Sequence, residues 1–176
     1  MRERVTARVI LLDPDNRILL MKGRLPSDPD APGAWFTVGG GVEDGETILQ
    51  AAAREIFEET GFTDVELGPV VWYGEGIVYD RKRRPLVLKA SYVVARCAGG
   101  EPSRAGWQPL ESELVDDIRW WTLGDLRACP EDVYPDALLD LLPDVMAGRY
   151  PAPPIGVFVA DRKSLTPPEG PFEEPV

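Results

Sequence analysis

Gly40-Gly41-Val42-Glu43-Asp44-Gly45-Glu46-Thr47-Ile48-Leu49-Gln50-Ala51-Ala52-Ala53-Arg54-Glu55-Ile56-Phe57-Glu58-Glu59-Thr60-Gly61-Phe62 is the stretch on which the reading of this chain turns. Thr47 and Gln50 have the spacing of a capping box, and Gly61 stands where a left-handed C-terminal cap is expected, so a helix is predicted over 47–60. At about 100° per residue, Glu55, Glu58 and Glu59 fall on one narrow arc of that helix. Leu49, Ala53 and Ile56 recur at i, i+4 and i+7 on a neighbouring arc, which predicts the face that docks on the rest of the protein. Like charges at these spacings cost a helix a few tenths of a kcal/mol per pair, a cost that bound cations remove. Oxygen-only ligand sets of this kind suit magnesium, manganese or calcium, although a solvated acidic face has the same sequence. Gly39-Gly40-Gly41, just before the helix, reads as a turn whose bare backbone can approach phosphate and metal.

Around this helix the pattern is extended. Val5 to Leu12 and Arg17 to Met21 flank the turn Asp13-Pro14-Asp15-Asn16 and predict a hairpin. Ala34 to Val38 predicts a third strand after a Gly/Pro/Asp-rich loop. Val65 to Tyr79 and Pro85 to Cys97 predict a second hairpin across the basic turn Asp80-Arg81-Lys82-Arg83-Arg84. A loop from Ala98 to Leu114 leads to a strand over 116–122, and Leu123 to Arg127 and Asp136 to Met146 look helical. Strands, one helix, more strands and terminal helices predict an α/β domain over residues 1–149, with a mixed sheet between helices. Residues 150–176 are rich in proline and acidic side chains and read as an extended tail, to which Ile155, Val157 and Phe158 give something to bury.

Composition removes several function classes. Histidine is absent, which excludes Ser-His-Asp, Cys-His and His-metal chemistry within this chain. The formal net charge of −11 argues against nucleic-acid partners, which need clustered Lys and Arg. Cys97 and Cys129 form no CxxC pair, so neither a disulfide framework nor a zinc site is expected, and a reducing cytoplasm fits. No run approaches the roughly 20 apolar residues of a membrane span, and the N-terminus reads as a strand, not a signal peptide.

Gly40, five residues, Glu46, seven residues, then Arg54-Glu55-Ile56-Phe57-Glu58-Glu59-Thr60-Gly61-Phe62 resembles the Nudix box at every defined position. The lead-in from Trp35 is similar to the family too, except that Val38 stands where proline is frequent. The resemblance spans about Val5 to Met146 and implies the Nudix α/β/α sandwich, with a mixed sheet between helices. It implies a magnesium-dependent hydrolase, with manganese as a substitute, acting on the phosphoanhydride of a nucleoside diphosphate linked to another group. Dinucleoside polyphosphates, ADP-ribose and nucleoside triphosphates are the substrates in view. Glu55, Glu58 and Glu59 would hold metal, and the Gly40 carbonyl would join them. Glu58, Glu59 and Arg54 would be catalytic, Arg54 by orienting a glutamate of the box, while Glu46 would support the loop. A further glutamate late in the domain often serves as base or ligand in this family. Glu113 and Glu111 are the candidates, and Glu113 is taken as catalytic.

Trp35, Trp72, Tyr73 and Tyr79 could stack a base, although each reads first as a core or sheet residue. Ile77 occupies the place of a proline that marks many ADP-ribose enzymes, and Tyr79 lies near the tyrosine of dinucleoside-polyphosphate enzymes. The Arg81–Arg84 run could grip polyphosphate or simply form a solvated turn. A nucleotide-sensing module on the same fold is the alternative, opposed by the intact carboxylates. Isoprenoid isomerisation on this fold would need histidine, and a homodimer stays open.

Overall fold

The computed structural model describes residues 1–24, 28–80, 82 and 84–159. Its sheet comprises β1 (Arg2–Leu12), β2 (Ile18–Gly23), β3 (Ala34–Gly41), β4 (Val65–Tyr79), β5 (Pro85–Cys97), β6 (Val115–Trp121) and two short strands, β7 (Val133–Tyr134) and β8 (Ile155–Gly156). The helices are α1 (Ile48–Thr60), α2 (Pro109–Leu114), α3 (Leu123–Arg127) and α4 (Leu138–Met146). The strand order is β6-β2-β3-β1-β5-β4-β8, with β7 added beside β3. β1 runs parallel to β5 and antiparallel to β3, which makes the sheet mixed as expected.

Alternation along β1 divides the core into two layers, because successive side chains point to opposite faces. Ala7, Val9 and Leu11 pack with Val38, Val93 and α1 residues Ala51, Ala52 and Ile56. Ile10 and Leu12 pack on the other face with Trp35, Trp72, Leu126 of α3, and Leu138, Leu142 and Val145 of α4. The sandwich therefore places α1 on one face and α3 with α4 on the other.

One sequence expectation changes here, and two readings that the sequence left open are decided. The docking face of α1 is Ala51, Ala52 and Ile56. Leu49, which was expected to dock, is 43% exposed, and Ala53 also faces outward. Small alanines let the helix axis approach the sheet, whereas Leu49 would hold it away. Trp35 and Trp72 are 1% and 0% exposed and serve the core instead of stacking a base; Trp35 meets Trp121 edge-on at 4.9 Å, and Trp72 packs on Tyr92 at 5.7 Å. Within the tail, β8 pairs with β4, and Val157 donates its N–H to the Tyr73 carbonyl at 2.9 Å. Val157 and Val159 pack on the core, while Ile155 and Phe158 stay exposed. Residues 160–176 of the expected tail, and Arg81 and Arg83 of the basic turn, lie outside the described residues.

The turn itself is organised by Asp80, whose carboxylate accepts N–H bonds from Lys82 and Arg84 and pairs with Arg2 at 2.6 Å. Cys97 and Cys129 are both free thiols. No helix among the described residues is long and apolar enough to cross a membrane.

Candidate active site

The site is built where β3 ends against α1. Thr47 Oγ1 accepts the Gln50 N–H at 3.2 Å and Gln50 Oε1 accepts the Thr47 N–H at 2.9 Å, which closes the predicted capping box. Gly61, at φ 75°, ends the helix by donating its N–H to the Phe57 carbonyl at 2.8 Å. With both ends pinned, the position of each carboxylate follows from where the helix meets β3.

Gly39 sits at φ 133°, in the region open to glycine, and a Cβ there would lie 2.8 Å from the Arg8 Cα. Its N–H donates to Glu59 Oε2 at 2.8 Å. At Gly40 a Cβ would fall 2.6 Å from Cδ of Glu55, so the missing side chain is the room that the Glu55 carboxylate occupies. Glu55 and Glu59 are consequently 6% and 4% exposed, carboxylates buried between helix and strand. Glu58 is offset from them and half-exposed, so the expected arc of three is divided.

The carboxylate that joins Glu55 and Glu59 comes from α2. Oxygens of Glu55, Glu59 and Glu111 all lie within 4.8 Å of one another, a donor set suited to a hard divalent cation. Of the two late candidates, it is Glu111 that reaches this cluster. Glu113 lies outside the gathered carboxylates; its side chain is exposed and its carbonyl accepts from Arg24 at 3.3 Å.

The sequence reads as loop over α2, because glutamine is a weak N-cap and six residues give little periodicity. The available signal was Pro109 at its first position followed by Glu111, whose carboxylate accepts the Gln108 N–H at 2.7 Å. Residues before α2 clamp this arrangement. Trp107 Nε1 donates to the Glu59 carbonyl at 2.8 Å, and Ser103 N–H donates to the Thr60 carbonyl at 2.7 Å. These contacts satisfy carbonyls at the end of α1 while carrying α2 over the site.

Arg54 ties the remaining groups together. Its Nε and Nη2 donate to the two oxygens of Glu46 at 2.7 and 3.0 Å, and Nη2 also reaches the Gly41 carbonyl at 2.7 Å. Nη1 donates to Glu55 at 2.8 Å and Glu58 at 3.2 Å. The Arg54 hydrogen bonds, helped by the Glu43 N–H, hold the Glu46 carboxyl well below the ordinary range. Arg54 is itself pushed up, mostly by Glu46.

Burial has the opposite effect on the cluster. It raises Glu55, with Arg54 opposing, and pushes Glu59 up to about 8 against the hydrogen bond from Gly39. Nearby Glu55 and Glu111 add to the rise at Glu59. Burial thus disfavours the charged forms of Glu55 and Glu59, and a divalent cation bound there would favour them.

Comparison with known proteins supplies the relationship. The NUDIX domain family model matches residues 2–141. Nudix hydrolase 25 of Arabidopsis thaliana is 41% identical over 95 residues, which cover 53% of this chain and 46% of that protein. The oxidized purine nucleoside triphosphate hydrolase of Danio rerio is 30% identical over 125 residues, covering 65% of this chain and 75% of that one. Among solved structures, a MutT NUDIX hydrolase from Burkholderia pseudomallei is 26% identical with a TM-score of 0.54, covering 82% of this chain and 99% of that one. The chain spans less than half the length of the first curated relatives it matches. A family match across most of the chain, the same fold, and a box whose residues meet at one site lead to one conclusion: this chain belongs to the Nudix family.

Proposed function

We propose that the protein is a metal-dependent pyrophosphohydrolase that cleaves the phosphoanhydride of a nucleoside diphosphate bearing a further group, working in the cytoplasm. The observation that carries this reading is the convergence of Glu55, Glu59 and Glu111 beside the bare backbone of Gly40. Glu55 and Glu59 would hold magnesium or manganese, with Glu58 and the Gly40 carbonyl at the open side. Such a cation, when bound, neutralises diphosphate oxygens and lowers the pKa of water. Arg54 fixes Glu55 and Glu58 in place by donating to both.

Glu111, in place of Glu113, accepts the proton of the attacking water. One of its oxygens is oriented by the Gln108 N–H, which leaves the other for that proton. The water oxygen bonds to phosphorus, the bridging P–O bond breaks, and the products are a nucleoside monophosphate and a phosphorylated remainder. The Danio rerio relative bears the name of an oxidized purine nucleoside triphosphate hydrolase, and that name supports trying triphosphates among the first substrates. The net charge of −11 disfavours long nucleic acids.

The test is product release from nucleoside triphosphates, dinucleoside polyphosphates, ADP-ribose, NADH and nucleotide sugars with Mg²⁺, Mn²⁺ or EDTA. Turnover of one class is expected with either metal, and its loss is expected in EDTA and in Glu58→Gln or Glu59→Gln. Undiminished rates in both variants would overturn the proposal.

A further inference from the structure

At six residues α2 is well short of the roughly 12–15 that an isolated helix needs in water. Packing does little to hold it: Leu114 is the one side chain it buries, and Leu110 is 41% exposed. Its place is therefore set by polar anchors at its two ends. The N-terminal anchor is the attachment of Trp107 and Ser103 to the end of α1. At the other end α2 passes directly into β6. The last carbonyls of a helix have no partners within it, and α2 carries no basic side chain of its own to meet them.

Arg24 meets them from a distant part of the sequence. It stands just beyond β2, where Gly23 pairs with Val115 at a register shift. Its backbone N–H donates to the Leu114 carbonyl at 3.1 Å, and Nη2 donates to the Glu113 carbonyl at 3.3 Å and to Asp116 Oδ1 at 2.9 Å. Nη1 turns the other way, to the Pro29 carbonyl at 3.0 Å. The close approach depends on Gly23, since a Cβ there would fall 2.7 Å from the Leu114 carbonyl oxygen. The Asp116 side chain is 49% exposed, so its ion pair with Arg24 contributes little stability by itself; its effect is to aim the guanidinium at the helix end. Glu111 lies three residues before Leu114, under one turn of helix, so movement at this junction carries its carboxylate along. That carboxylate is the one member of the Glu55–Glu59–Glu111 cluster that does not come from α1.

We propose that Arg24 is a positioning residue of this site: by holding the C-terminal end of α2 it keeps the Glu111 carboxylate beside Glu55 and Glu59. Its link to turnover rests on the hydrolase reading, in which Glu111 takes the proton of the attacking water; its link to the carboxylate cluster does not. Arg24 has no part in holding metal or substrate, and its whole effect passes through Glu111.

The experiment is a double-mutant cycle between Arg24→Gln and Glu111→Gln in the full chain. It is read by steady-state turnover in Mg²⁺ of the substrate class that the wild type hydrolyses, and by Mn²⁺ affinity from paramagnetic resonance without substrate. Arg24→Gln is expected to lower kcat about tenfold and leave KM within about twofold, because the group it displaces acts in the bond-breaking step. In the Glu111→Gln background the same change should lower kcat by less than about twofold, since one residue acts through the other. Mn²⁺ affinity should fall about threefold with Arg24→Gln alone and stay within about 1.5-fold where Glu111 is already replaced. Arg24→Lys, which keeps a charged donor for the Glu113 carbonyl, should recover part of both losses. If the wild type hydrolyses nothing with either metal, the hydrolase reading fails and the Mn²⁺ cycle alone decides: dependence on Glu111 sustains the positioning role, and equal loss or no loss overturns it. If turnover is metal-dependent and Arg24→Gln costs the same with and without Glu111, or costs nothing, the positioning role fails and the hydrolase stands.

Discussion

Removing the charge of Glu59 while keeping its shape should make the protein more stable relative to wild type as pH rises, provided that metal is absent. Glu59 is 4% exposed, and burial is the main reason that its carboxyl is pushed from the ordinary 4.5 up to about 8. Between those values the folded protein keeps a proton that the unfolded chain releases. The stability associated with that proton is complete below about pH 4.5, falls as pH rises, and is gone above about pH 8. At about 1.4 kcal/mol per pH unit, the whole interval corresponds to roughly 5 kcal/mol, part of it belonging to Glu55, whose charge adds to the rise at Glu59.

Glu59→Gln cannot ionise, yet its amide oxygen can still accept the Gly39 N–H that Glu59 accepts at 2.8 Å. Urea unfolding of both proteins in EDTA, at about pH 5.5, 7 and 8.5, isolates the effect because other titrating groups cancel in the difference. The difference should move in favour of Glu59→Gln by up to about 1.4 kcal/mol per unit and level off above about pH 8. Adding Mg²⁺ at the highest pH should then stabilise the wild type more than the variant, since binding to the folded state alone raises stability by mass action. Parallel pH profiles in EDTA would refute the reasoning.

Two further outcomes separate the roles of neighbouring positions. Gly39→Ala should destabilise by at least about 2 kcal/mol in urea unfolding, from its φ of 133° and collision with the β1 backbone. Gly40→Ala has no such backbone penalty; its Cβ displaces the Glu55 carboxylate, so turnover should fall more than about tenfold with a stability change under about 1 kcal/mol. Truncation after Arg149 removes Val157 and Val159 from the core and the Val157 bond to Tyr73, and should lower unfolding stability by about 2–4 kcal/mol. An unchanged unfolding midpoint in that variant would show that the segment contributes nothing.

Local signals by themselves determined α1 and most of the strands. Thr47 and Gln50 cap one end and Gly61 the other, and these interactions involve residues at most four apart in the chain, so they can be read without the fold. Alternation along β1 and β5 likewise announced strands buried within a sheet. The acidic residues of the helix, the arginine beside them and the glycines before them were legible as a metal and phosphate motif for the same reason.

Only the tertiary structure decided which carboxylates meet. Helical periodicity could not choose between Leu49–Ala53 and Ala51–Ala52 as the docking face, because both sets are apolar; the need for close approach to Gly39 and Gly40 selected the alanines. That rotation buries Glu55 and Glu59 and leaves Glu58 to Arg54. Glu111 and Glu113 are equivalent in sequence, and the difference between them arises from Trp107 and Ser103 anchoring the preceding segment to the end of α1, some 48 and 43 residues away. The β1–β3 register, which sets Thr6 against Gly41 and Ala7 against Gly40, is likewise a contact between segments that no local pattern encodes.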